Sequence, residues 1–178
     1  MRPASTHAGL TLAELLVCLV ILSVLAATAW PSFTELLARQ AVDQAADRLA
    51  ASLALARSTA MARRIEVTLQ PLDGQPGLDH GWQLLAGPGP DTTPLAVVEP
   101  AASCLRVALR QTGRDSHTVR FTAVGYSRSE QGGFQAATFA LSCRGAQRQV
   151  RLGAQGRIRL CTPGRDSDCD AADGPEPL

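Results

Sequence analysis

The sequence predicts an α+β chain, a long N-terminal helix whose first half spans a membrane and whose second half packs on antiparallel β-sheet. Three observations carry this. Residues 10–30 form one apolar run of about the ~20 residues an α-helix needs to cross a bilayer. After Pro31 the apolar residues recur at three- and four-residue steps, the period of an amphipathic helix. From Ile65 onward that period is lost, and short alternating runs separated by Gly, Pro and polar clusters replace it. Less a leader and an anchor, the 178 residues leave one modest domain with its own core.

Residues 1–9 read as a polar leader. They hold Arg2 and no acid, which by the positive-inside rule keeps this end cytoplasmic and sends the C-terminal body across the membrane, into the periplasm of a Gram-negative cell. A secretory signal peptide would place its small-residue cleavage site after the apolar core. Here the small-residue break, Gly9, precedes that core, and Trp30 and Pro31 close its far end. Cutting after Gly9 would leave the apolar helix on the mature protein; an uncleaved signal anchor is the plain alternative. Within the 10–30 span, Cys18 reads as a small hydrophobe. Glu14 is different, because a carboxylate that deep costs on the order of 3 kcal/mol unless something pairs with it or uses it.

The residues Gly9-Leu10-Thr11-Leu12-Ala13-Glu14 resemble the prepilin peptidase motif of type IV pilins and type II secretion pseudopilins. That resemblance implies cleavage between Gly9 and Leu10, N-methylation of Leu10, and a filament-assembly role for Glu14, the fifth residue counted from Leu10. It also implies a single-pass inner-membrane protein whose partners are prepilin peptidase and other pilin or pseudopilin subunits. Leu10 stands where the family most often has Phe, and Ala13 where a larger aliphatic is common; both departures are apolar and mild.

Residues 31–64 continue the helix. Phe33, Leu36, Leu37, Ala41, Ala45, Leu49, Leu53, Ala56 and Ala60 form its apolar stripe, with Arg39, Asp43, Asp47, Arg48, Arg57 and Arg63 mostly off it. Pro31 cannot donate its amide and crowds the preceding turn, so a bend near Trp30 is expected. A helix from Leu10 to about Arg64 would be roughly 80 Å long. The Ala-rich stripe suits close packing on a sheet; the steps do not hold the strict heptad of a coiled coil.

Residues 65–161 read as the β-rich periplasmic domain. Strands are expected at 65–69, 81–85, 95–98, 105–109, 118–121, 137–141, 149–152 and 157–160, with loops around one strand between Pro71 and Pro94. The order of helix then strands, with Gly81-Trp82 early and Gly156-Arg157-Ile158-Arg159 late, resembles the GspH/FimT branch of pseudopilins and minor pilins. The type IV pilin-like fold is what that resemblance implies. Residues 162–178 are expected to form an acidic, flexible tail.

Cys104, Cys143, Cys161 and Cys169 lie on the side expected to be oxidising, where an even number favours two disulfides. Four cysteines allow three connectivities and the sequence does not choose; the working expectation pairs Cys161 with Cys169 and Cys104 with Cys143. No CxxC or HxxxH spacing supports zinc. Asp166, Asp168 and Asp170 weakly resemble the start of a calcium loop, but Ala171 stands where glycine is due and no Glu closes it. His7, His80 and His117 are scattered, and no nucleophile stands in a recognisable elbow. A non-catalytic protein without cofactor or metal is expected.

One charge pattern remains. Between Gln131 and Arg165 there is no acid, while Arg144, Arg148, Arg151, Arg157, Arg159 and Arg165 supply six positive charges, a block suited to polyanions. All seventeen basic residues are Arg, consistent with GC-rich coding bias, so a solvated strand face is the plain reading. In FimT-type minor pilins a Gly-Arg-x-Arg element is tied to DNA binding in natural transformation, and the resemblance marks Gly156, Arg157 and Arg159, with Arg148 and Arg151 beside them, as candidate contacts to double-stranded DNA. Arg157 and Arg159 would share one side of the sheet. With no aromatic platform evident near Arg157, contact to the phosphate backbone is expected, indifferent to base sequence. The readings therefore divide among a filament subunit with possible DNA binding, a DNA-uptake adaptor, and a GspH-like subunit of protein secretion alone.

Overall fold

The computed structural model describes residues 12–87, 94–112, 117–129, 132–167 and Cys169. Gly9 and Leu10, together with Asp168, Asp170 and the last residues of the tail, lie outside the described residues. The chain divides into two compact units, Met1–Leu37 and Ala38–Leu178, and one helix, α1 (Leu12–Arg63), contributes to both.

In the first unit α1 is apolar on every side. Leu15, Leu16, Val20, Ile21, Leu22, Val24 and Leu25 are each more than half exposed. Two hydroxyls in this stretch turn back on the helix, Ser23 Oγ donating to the Val20 carbonyl at 2.7 Å and Thr28 Oγ1 to that of Leu25 at 3.0 Å, so both of these donors are satisfied within the helix. By length and composition this helix can cross a membrane. Glu14 sits in its first turn. The helix is continuous past Pro31.

In the second unit the same helix becomes one-sided. Ala38, Val42, Ala45, Ala46, Leu49, Leu53, Ala56 and Ala60 are buried. The expected stripe is correct from Ala45 onward but begins differently: Phe33, Leu36 and Leu37 are about half exposed, and Ala38 and Val42 start the buried face. Ser52, a polar residue on this face, accepts the indole N–H of Trp82 at 3.0 Å and donates to the Arg48 carbonyl at 2.8 Å. Trp82 can be fully buried because its one donor is thereby satisfied.

Among the described residues nine strands follow α1: β1 (Val67–Pro71), β2 (Trp82–Ala86), β3 (Ala96–Val98), β4 (Arg106–Gln111), β5 (Val119–Phe121), β6 (Ser127–Arg128), β7 (Ala137–Cys143), β8 (Ala146–Leu152) and β9 (Ile158–Cys161). They form two antiparallel sheets, β3-β2-β1-β5-β6 and β4-β7-β8-β9. All eight expected strands exist with shifted ends. Two features were not foreseen, the partition into two sheets and β6, whose two residues are too few to show a period. The helix and both sheets share one buried cluster that includes Leu49, Leu53, Trp82, Phe121, Phe139 and Val150.

The β7–β8 hairpin turns on Arg144 and Gly145, both at positive φ (47° and 87°), as a two-residue turn matched to strand twist requires. Cys104, just before β4, is bonded to Cys143 at the end of β7, and Cys161 at the end of β9 is bonded to Cys169. This is one of the three connectivities open to four cysteines.

Candidate functional site

Register decides which arginines meet. Across the four-stranded sheet Arg110 of β4 is opposite Thr138 of β7, Thr138 is opposite Arg151 of β8, and Arg151 is opposite Arg159 of β9. Residues directly opposite share a face, so these four form one row. Ala137, Phe139 and Leu141 on β7 are buried while Thr138 and Ala140 between them are not, so the row lies on the face turned away from the core. At ~4.8 Å per strand the row from Arg110 to Arg159 is roughly 14 Å long.

Arg157 joins this row from the β8–β9 turn. With Arg110, Arg151 and Arg159 it lines a groove of about 660 Å³. Gly153 N–H donates to the Arg157 carbonyl and Gly156 N–H to that of Gly153, both at 2.8 Å, which closes the turn. Gly156 itself is buried and cannot touch a ligand. Its φ is +78°, and a Cβ there would press on the Gly125 carbonyl oxygen and lie 2.6 Å from Arg57 Nε. Arg57 Nε in turn donates to the Gly125 carbonyl at 3.1 Å. The glycine of the Gly-Arg-x-Arg element therefore seats the turn against α1 and the β5–β6 turn, and Arg157 and Arg159 are what it presents.

Arg148 does not join them. It is three residues from Arg151, opposite Leu141 on the core-facing side of the sheet, and its guanidinium donates to Asp43 Oδ1 of α1 at 2.9 Å. Arg144 occupies the β7–β8 turn, and Arg165 lines a second recess with Arg39, Asp43 and Arg148. The six-arginine block thus divides in half, and its groove half is completed by Arg110 from outside it. The split of Arg148 from Arg151 was available in the sequence, since an odd separation in a strand means opposite faces. Arg110 carried no such signal, because its place depends on strand pairing.

Two exposed aromatic residues stand on the loops around β6, whose preceding turn adjoins the turn of Arg157. Tyr126 and Phe134 are in edge-to-face contact, ring centroids 5.7 Å apart, and are 39 % and 64 % exposed. Tyr126 follows Gly125, the residue against which Gly156 is seated, and Phe134 lies two residues before Ala136, which lines the groove. Sequence could not place them, because the loops that bring them together are distant in the chain from Arg157.

Among the described residues no group of three or more His, Cys, Asp or Glu could hold a metal ion. Asp166, the one described acid of the calcium-like segment, accepts the Thr162 N–H at 2.6 Å and so serves the turn after β9.

Comparison with known proteins agrees with this architecture. The family model described as type II transport protein GspH matches residues 45–156, and the prokaryotic N-terminal methylation motif matches residues 5–30. Among solved structures the chain is similar to the type IV minor pilin FimU of Pseudomonas aeruginosa strain PAO1 in two crystal forms. In the first the identity is 25 % and the TM-score 0.54, over 72 % of this chain and 92 % of that one. The second, at 23 % identity and TM-score 0.51 over 67 % and 91 %, supports the fold alone. No curated protein matches the chain. With an N-terminal methylation motif ahead of a helix-on-sheets domain, the chain belongs to the GspH family of pilin-like, non-catalytic subunits.

Proposed function

We propose that this chain is a minor pilin: inserted in the inner membrane with its C-terminal domain in the periplasm, cleaved after Gly9, N-methylated on Leu10 and assembled into a filament. The observation that carries the reading is the continuity of α1. Its apolar, uncovered first half is part of the same unbroken helix whose later residues bury one face in the core, so a cut after Gly9 would leave the anchor on the mature domain. A bilayer covers such a surface before assembly, and the equivalent helices of neighbouring subunits cover it afterwards. Glu14 pairs with the Leu10 amine, in the same or a neighbouring subunit, because either charge alone in that environment is costly. The likeness to FimU favours a type IV pilus over a secretion pseudopilus.

Co-expression with prepilin peptidase tests this. Intact-mass spectrometry should show loss of residues 1–9 and one added methyl group, and Gly9→Leu should block both. A leader still attached beside an active peptidase contradicts the proposal.

A second role is supported by the arginine row. Arg151 stands directly opposite Arg159, and Arg110 and Arg157 line the same groove. Guanidinium groups bind phosphate through paired, planar hydrogen bonds, so the groove suits the backbone of DNA. Binding of labelled duplex by the detergent-solubilised mature protein should weaken in Arg157→Gln/Arg159→Gln. Equal binding by wild type and double variant contradicts this role.

A further inference from the structure

We propose that Tyr126 and Phe134 extend the arginine groove into a site for single-stranded nucleic acid, with the groove holding phosphates and the aromatic pair stacking an unpaired base. This rests on the phosphate-contact reading above and adds the class of ligand.

The chain has seven aromatic residues in all, and the sheet-bearing unit has five of them. Trp82, Phe121 and Phe139 are fully buried, which is where so scarce a residue type is expected. The remaining two are both exposed and touch each other. Val124, two residues before Tyr126, is 65 % exposed. Around the aromatic pair are cations: Arg128 is bridged to Phe134 across the chain, and Arg57 holds the Gly125 carbonyl next to Tyr126.

The two parts are fixed relative to each other by specific contacts. Gly125 and Gly156 are in direct backbone contact beneath Arg57, so the residues that follow them, Tyr126 and Arg157, stand on adjoining turns. One step further along, Ser127 N–H donates to the Ala154 carbonyl at 3.2 Å and Ser127 Oγ donates to the Gln135 carbonyl. Gln135, buried between Phe134 and the groove-lining Ala136, donates from Nε2 to Gln111 Oε1, and Gln111 also lines the groove. An exposed aromatic pair on a turn adjoining that of Arg157, together with the arginine groove, supplies the two parts of a single-strand site, a stacking platform and a cationic track. Duplex offers the track its phosphates but hides the faces of its bases in the stack. The aromatic pair therefore discriminates in favour of unpaired strand, with little dependence on base identity.

The test uses the full mature chain in non-ionic detergent, titrated at fixed salt with a 20-nucleotide oligothymidine and with a duplex of equal length. Wild type should bind the single strand more tightly. Tyr126→Ala/Phe134→Ala should weaken single-strand binding at least about fivefold and change duplex binding less than twofold. Tyr126→Leu/Phe134→Leu keeps the apolar surface while removing the rings, so it gives the same answer if the alanine variant folds poorly. As a readout of stacking itself, 2-aminopurine in the oligonucleotide should lose fluorescence on binding wild type and not on binding the leucine variant. Unchanged single-strand affinity and quenching in the variants, with binding still lost in Arg157→Gln/Arg159→Gln, would overturn the stacking role and leave the arginine reading standing. Absence of binding to either oligonucleotide would overturn both. Loss of filament incorporation by the leucine variant with single-strand binding intact would identify the patch as a subunit contact and overturn the proposal.

Discussion

The two ends of β8 place the same residue type in different surroundings. At the Ala146 end Arg148 faces the core side and is tied to Asp43 of the helix, next to a turn at Gly145 with open space around it. At the Leu152 end Arg151 faces outward into a shared groove with Arg110, Arg157 and Arg159, beside a turn at Gly156 packed tightly against Gly125 and Arg57. One arginine is tied to the helix, and the others share one groove on the outer face of the sheet. Charge counting along the sequence merges the two ends; strand parity and register separate them.

The largest effects should come from the covalent ties, both of which lie toward the Arg148 end. Breaking Cys104–Cys143, with a sequence separation of 39, should cost about 4 kcal/mol in the chain-entropy account, and breaking Cys161–Cys169, with a separation of 8, about 2.5 kcal/mol. Urea unfolding of Cys104→Ser/Cys143→Ser beside Cys161→Ser/Cys169→Ser checks the order, and the reverse order would break the account of which tie holds the sheet.

The two turns sharpen the comparison next. Gly145 and Gly156 have similar positive φ, but a Cβ at Gly145 meets nothing within 4 Å. Gly145→Ala should therefore cost only the backbone strain, about 1 kcal/mol, whereas Gly156→Ala adds overpacking and should cost about 3 kcal/mol. Gly156→Ala should also weaken nucleic-acid binding by displacing Arg157. Equal destabilisation at the two positions would mean that the β8–β9 turn is not seated on the helix as described.

Much of this was legible in one sequence. The anchor was legible from its length, the core helix from Ala45 onward from its period, and the strands from their alternation. What could not be read follows from what one chain's pattern encodes. Arg110 and Arg159 are nearly fifty residues apart and meet only through the pairing order β4-β7-β8-β9, which hydropathy does not specify. Tyr126 and Phe134 flank a two-residue strand that has no period to detect. Gly156 reads as part of a binding motif, but its structural duty depends on Arg57, a hundred residues earlier in the chain.

The smallest effect belongs to the Asp43–Arg148 pair. Both side chains retain solvent contact, 53 % and 32 % exposed, so Asp43→Ala should cost only about 0.5–1 kcal/mol in urea unfolding. A cost of several kcal/mol would show that the Arg148 end is held by this ion pair and not by its disulfides and core packing.

The central proposal is that the arginines at the Leu152 end of β8 meet phosphate while Arg148 at the other end, paired with Asp43, does not. Its most direct measurement is the salt dependence of duplex binding by the full mature chain in detergent, for wild type, Arg157→Gln, Arg148→Gln and Arg106→Gln. Arg106 serves as the control because it is exposed on the same sheet face, paired with Asp79 at 3.5 Å and outside the groove. If two to four phosphates are neutralised, the log-log slope for wild type should be about −2 to −4. Arg157→Gln should make it shallower by about one, and Arg148→Gln and Arg106→Gln should leave it unchanged. A slope that flattens equally in all three variants, or in none, would contradict the division of labour between the two ends.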